Sequence, residues 1–241
     1  MKRIIVEDLS KKFFLEGAKR QGVLQRILFF LFNRSFKEIS VVKDISFDIT
    51  SGEILGIIGK NGAGKTTLLR LISGIYKKNS GKIYSMGKIL PIIELYMTLN
   101  SRLSMKDNIY LIGSLAGMSS NEINKKYRSI VEFSELREFE DVKIYQFSEG
   151  MKQKLAFSIA IHTNSDIYLL DEVFEIGDEE FKEKSVKALR KIVKNGGCII
   201  LVSHDLNLVK KYCSRFLWLE NGEIKKMGGK EVVEEYKKAG R

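Results

Sequence analysis

Short apolar runs rich in β-branched residues and ending in a glycine or a polar residue recur along the chain: "EILGIIG" at 53–59, "DIYLLD" at 166–171 and "GCIILVSH" at 197–204. Between them lie segments of helical period, the alternation expected of a parallel sheet covered by helices. Before them, "IIVEDLSKKFF" at 4–14 and "VVKDISFDITSGE" at 41–53 alternate like strands, with a turn at Ser51-Gly52, and predict an antiparallel edge sheet. The stretch from about 100 to 160 loses β character. It predicts an inserted helical lobe built from "MKDNIYLIGSLAG", "NEINKKYRSIVEFS" and "EGMKQKLAFSIAIHT". The fold class is therefore α/β, with a parallel core sheet, an N-terminal antiparallel β subdomain and a helical insertion.

The most apolar window, "VLQRILFFLFNRSF" at 23–36, departs from this scheme. Leu24, Ile27, Leu28 and Leu31 recur at helical spacing on one face, flanked by Lys19, Arg20, Arg26, Arg34 and Lys37. The unbroken apolar run from Ile27 to Phe32 falls far short of the roughly 20 residues that cross a bilayer. Two readings stand side by side: a helix lying at an anionic membrane surface, and a helix packed on its own domain.

Composition adds limits to these readings. With 44% hydrophobic and 29% charged residues over 241 positions, the chain is of ordinary globular make-up. A single proline, Pro91, and the absence of repeats or low-complexity tracts argue against a divided chain. "MKRIIVEDLSKKFF" lacks the apolar core of a signal peptide, so a cytoplasmic location is expected. Cys198 and Cys213 form no CxxC pair and are expected to be reduced and structural. The net charge of +11 suits nucleic acid, phospholipid or nucleotide phosphates, and equally suits a lysine-solvated surface.

The sharpest chemical signal is "GKNGAGKT", which follows one strand and opens one helix. Its glycines let backbone N–H groups wrap phosphates, a lysine reaches the terminal phosphates and a hydroxyl suits Mg²⁺. Gly59, Asn61, Gly62, Ala63, Gly64, Lys65, Thr66 and Thr67 form the candidate cradle for a nucleotide. "DIYLLDE" then ends a strand in Asp171, a candidate Mg²⁺ ligand with Thr66, and Glu172, a candidate base or orienter for water. His204, ending the next strand, is placed to contact a γ-phosphate or hold that water. An acidic pair after a strand is commonly just a loop, and a lone histidine is commonly structural. Their order after a phosphate loop gives them weight.

"FSEGMKQKLAFSIAI", just upstream of the acidic strand, completes a sequence of parts that resembles the nucleotide-binding subunit of ABC transporters over nearly the whole chain. The resemblance implies one ABC nucleotide-binding domain over 1–241, a phosphate-loop ATPase using ATP and Mg²⁺. It implies a homodimer in which the signature helix of one subunit caps ATP held by the other. Ser148 and Gly150 match that signature, and Asp178 in "EIGD" matches the loop between subunits. Phe13 matches the aromatic that stacks on adenine, with Phe14 its rival, and Glu94 in "PIIELY" stands at the glutamine that links metal and permease.

Three departures bear on rate and substrate. Glu149 replaces a small signature residue, and Glu175 a small residue of the inter-subunit loop, so an active but slow ATPase is expected. Neutralisation of Glu149 by Lys152 or by Lys154 is the alternative. Glu94, the signature and "IGDEEF" look most like the polysaccharide exporters of the Wzt type, including capsule and teichoic-acid systems. Those implied partners are two copies of a membrane permease, a lipid-linked glycan as cargo and the cytoplasmic face of the inner (plasma) membrane. "LYMTLNSRLSMKDN" replaces the Gly-rich stretch usual after the Glu94 position, and the sequence ends after "LENGEIKKMGGKEVVEEYKKAGR" with no carbohydrate-binding domain expected. Another lipid or drug exporter, or an importer, remains open. A cassette acting on nucleic acid is disfavoured by the single cassette and by the lack of a basic run with interleaved aromatics.

Overall fold

A computed structural model describes residues 1–15, 37–92, 98–171, 177–203 and 205–240. Two sheets and a helical lobe make up the described chain. Strand β1 (Lys2–Leu15) lies between β2 (Lys37–Thr50) and β4 (Ser80–Ser85), antiparallel to both. Both long strands carry an aspartate at positive φ, Asp8 and Asp44, each at 46°. The two are tied reciprocally: Ser10 Oγ donates to Asp44 at 2.7 Å, and Ser46 Oγ donates to Asp8 at 3.0 Å. Short polar side chains that bond locally tolerate this backbone, and the shifts of register between β1 and β2 fall around them.

The core sheet has the order β5-β6-β7-β3-β8-β9. It comprises β3 (Ile54–Ile58), β5 (Ile89–Pro91), β6 (Ile167–Asp171), β7 (Cys198–Val202), β8 (Arg215–Glu220) and β9 (Glu223–Gly228). All neighbours run parallel except the β8–β9 pair. The runs read as strands from their β-branched residues are buried along nearly their whole length, as a sheet covered on both faces requires. Helices α1 (Lys65–Ile72), α5 (Glu179–Lys194), α6 (Leu206–Tyr212) and α7 (Lys230–Ala239) accompany this sheet. Cys198 and Cys213 are buried and unbridged, and burial pushes both thiols up to about 12, so neither is a nucleophile near neutral pH.

The helical lobe consists of α2 (Met105–Leu115), α3 (Ser120–Ser134) and α4 (Glu149–Ile161) around a core of its own, including Met105, Ile109, Ile123, Ile130, Leu155 and Ile159. Ser104 and Ser119 cap α2 and α3 through their hydroxyls, and Glu122 closes a capping box with Ser119. Strands β4 and β5 were not foreseen from the sequence pattern. Both sit at sheet edges, where "SGKIYS" and "ILP" are short and only partly buried. No helix among the described residues is long and apolar enough to cross a membrane.

Glu53 secures the turn that feeds β3. It is buried, and its Oε2 accepts from Thr50 N at 2.8 Å and Thr50 Oγ1 at 2.9 Å. Arg215 Nε lies 2.8 Å from its other oxygen, an ionic pair too far off-axis to count as a hydrogen bond. Glu53→Ala leaves these groups unsatisfied and is expected to destabilise the fold by about 2–4 kcal/mol in urea unfolding. A loss below about 0.5 kcal/mol, the size of an ordinary surface substitution, would contradict this role.

Candidate phosphate-binding site

Strand β3 stops at Ile58, and residues 59–64 turn into α1. Two of the glycines have no substitute there. A Cβ at Gly59 would overlap the Leu219 carbonyl, and one at Gly64 (φ 103°) would lie 2.6 Å from the Val41 carbonyl. Lys65, only 7% exposed, curls back over the loop and donates to Gly59 O at 2.8 Å and Lys60 O at 3.0 Å. Gly222 N donates to Ala63 O at 3.2 Å from the far side. No side chain caps α1 at Gly64, which leaves the helix N-terminus, with its N–H donors and positive dipole end, suited to phosphate. Asn61, Gly62 and Thr67 lie on the same turn and first helical turn, and a Cβ at Gly62 would meet nothing within 4 Å.

Thr66 is brought to the end of β6, where its Oγ1 donates to Asp171 Oδ2 at 2.7 Å. Residues 105 positions apart thus meet as a hydroxyl and a carboxylate, both hard oxygen donors. That donor set fits Mg²⁺, which takes one or two protein oxygens and completes its shell with phosphate and water. Glu94, Glu172, Glu175 and His204 lie outside the described residues.

Ser148 caps α4, its Oγ accepting from Met151 N at 3.2 Å. A Cβ at Gly150 would find no neighbour closer than Ser148 Oγ at 4.0 Å, so nothing among the described residues demands glycine there. Neither Ser148 nor Gly150 is hydrogen-bonded to the phosphate loop among the described residues. Glu149 pairs with Lys152 at 2.8 Å. Lys154 turns instead to Glu135 at 2.7 Å and Asp178 at 2.8 Å, which resolves which lysine answers Glu149. Asp178 caps α5 by accepting from Phe181 N at 2.9 Å. Lys154 and this N–H hold its carboxyl down at about 2.

Phe13 is half-buried with its ring edge-on to Tyr76 at 5.6 Å and Lys11 Nζ 4.9 Å from its centroid, while Phe14 is 59% exposed. Its register partner Ile39 is two residues from Val41, which touches the phosphate loop. Val41, Leu219 and Gly222 wall the cradle and carry no motif of their own; only the closeness of their backbones to glycine marks them. A cavity of about 1020 Å³ opens elsewhere, beside α5 and the start of β6, and shares no lining residue with the cradle.

A strand–glycine loop–helix cradle with a Thr66–Asp171 pair, set in a parallel sheet beside a helical lobe, defines a phosphate-loop nucleotide-binding cassette. Residues 42–175, more than half of the chain, match the ABC transporter family, and the chain belongs to that family. It is 39% identical to a teichoic acids export ATP-binding protein, TagH, of Lactococcus lactis subsp. lactis across 98% of this chain. It spans only 51% of that relative's length. It is 38% identical to an O-antigen export system ATP-binding protein, RfbB, of Klebsiella pneumoniae, covering 82% of this chain and 81% of that one. Among solved structures, an ATP-binding subunit of an ABC transporter superposes with a TM-score of 0.77 at 24% identity, covering 99% of this chain and 95% of that one. A dimeric ATP-binding cassette in a post-hydrolysis state with ADP and Pi gives 0.75 at 22%, covering 94% and 98%. These two likenesses confirm the fold.

Lys152→Met strips Glu149 of its partner beside the signature helix N-terminus. The expected result is an apparent KM for ATP raised about 2–5-fold at low salt, reversed by adding Glu149→Gly. Identical KM values in all three proteins would show that the carboxylate does not face nucleotide.

Proposed function

We propose that this chain is an ATP-hydrolysing motor subunit that dimerises and drives a separate membrane permease exporting a lipid-linked polysaccharide. The observation that carries the reading is a divided site. The phosphate loop, Lys65 and the Thr66–Asp171 pair build a cradle on one part of the chain, while Ser148 and the open Gly150 stand on another without bonding to it. Helix N-terminal N–H groups at both places suit the two sides of one triphosphate held between two copies. The export assignment is supported by the similarity to the teichoic acid and O-antigen export proteins.

In this reading Lys65 leaves the Gly59 and Lys60 carbonyls for the β- and γ-phosphates, and Gly62, Ala63 and Gly64 offer backbone N–H groups. Thr66, Asp171 and Glu94 would hold Mg²⁺, which would supply positive charge beside the phosphates when bound. Glu172 takes the proton of the attacking water, and His204 steadies the γ-phosphate. Phe13 supplies the adenine platform, exchanging Tyr76 for the base. Asp178 meets the partner copy between the two sites. ATP and water become ADP and phosphate, and the dimer reopens.

The insertion expected at about 15 to 40 narrows to the residues between β1 and β2, because 37–40 already pair with β1 as strand; its basic, apolar sequence is assigned to the cytoplasmic face of the inner (plasma) membrane beside the permease. Replacing Phe29, Phe30 and Phe32 together with serine is expected to spare soluble ATPase activity and abolish export. Collapse of folding, read by circular dichroism, would instead make them core residues. The function as a whole is tested by mass spectrometry of what co-purifies with tagged Glu172→Gln protein from solubilised native membranes with ATP. A polytopic permease with bound lipid-linked sugar is expected; nucleic acid or ribosomal material without a permease would overturn the reading.

A further inference from the structure

Helix α3 ends on Glu135, whose backbone is left-handed at φ 62° and ψ 25°. Glycine is the ordinary residue at such a C-terminal cap, because a side chain there is strained. Glutamate brings a carboxylate to a place where three helices meet. Its Oε2 accepts from Lys154 of α4 at 2.7 Å, and its Oε1 from Lys184 of α5 at 3.2 Å. Lys154 continues the chain of contacts: it pairs with Asp178 at 2.8 Å and stands 5.0 Å over the buried Phe181 ring. Its Cε would lie 2.8 Å from a Cβ at Gly177. Lys184 lies 4.6 Å over Phe133.

These ion pairs are half-buried, with Lys154 15% and Glu135 32% exposed in their side chains, and pairs still reached by water add only modest stability, so they offset the strain at Glu135 in part. A strained residue kept for something other than stability points to placement of a functional part. Burial pushes the Glu135 carboxyl up, but Lys154 and Lys184 outweigh it and keep the group anionic.

We propose that Glu135 is a positioning residue for ATP hydrolysis: through Lys154 it locks the signature helix to the Gly177–Asp178 loop, so that both move as one body when two cassettes close. The inference rests on the ATPase reading and deepens it. The helical lobe carries the surface that caps the partner's nucleotide, and the loop follows in sequence after β6, the strand that ends in Asp171. A rigid tie between them makes arrival of the signature helix and placement of the catalytic strand end a single event, which lowers the entropy lost at closure.

Glu135→Gly separates this role from a structural one, because glycine suits the backbone and removes only the carboxylate. The expected outcome is an unchanged or raised Tm, unchanged equilibrium ATP binding and KM, and a kcat lowered about tenfold, as for loss of an interaction made at closure. Glu135→Asp, which tolerates the same backbone, should recover part of the loss, and Glu135→Asn none. Amide exchange at 177–181 should quicken in the Gly variant without ATP. Wild-type kcat and wild-type exchange in Glu135→Gly would overturn the proposal, as would loss of ATP binding, which would mean general damage. A wild-type chain that binds ATP and never hydrolyses it would overturn the ATPase reading, and this inference with it.

Discussion

The closed turn of Lys65 over the Gly59 and Lys60 carbonyls is the constraint on which the rest of the molecule depends. An ammonium so little exposed is tolerable only with close acceptors, and the loop supplies them by folding tightly round it. That tightness is possible because glycine stands where the Leu219 and Val41 carbonyls press in. Hence β8 and β2 must lie where they do, and the antiparallel sheet is drawn against the parallel core at the loop. The Thr66–Asp171 bond then sets the end of β6 relative to α1. Fold and site are one construction at this point.

Charge is distributed with a similar economy. The net charge of +11 is offset locally beside the site, where three lysines are individually answered: Lys152 by Glu149, Lys154 by Glu135 and Asp178, Lys184 by Glu135. Such pairs add little stability in water, but they decide direction. Lys152 lies one helical turn from Glu149 and takes the pair, leaving Lys154 free to reach α5. The acid in the signature is thereby shielded while the neighbouring helix is tied down.

Much of this was legible in the sequence. The β-branched runs 54–58, 167–171 and 198–202 became the parallel core because burial on both faces leaves an unmistakable apolar stretch. The three helices of the lobe followed from their helical period and the loss of β character between about 100 and 160. The phosphate loop and Asp171 were readable because the chemistry constrains residue type, not just polarity. Strands β4 and β5 were not, since a short edge strand buries too little to leave a pattern. The choice of Lys152 over Lys154 was within reach, because residues three apart on a helix face each other and residues five apart do not. The Glu135–Lys154–Asp178 tie was out of reach: the docking of α3, α4 and α5 creates it, and a left-handed glutamate leaves no mark in composition.

The central claim is that one chain holds two halves of different nucleotide sites, completed only by a second copy. Native mass spectrometry of the Glu172→Gln protein with Mg-ATP tests it most directly. The account predicts a species of twice the chain mass carrying two ATP molecules, absent with ADP. A monomer that binds ATP with full affinity and never pairs, at any protein concentration, would contradict it.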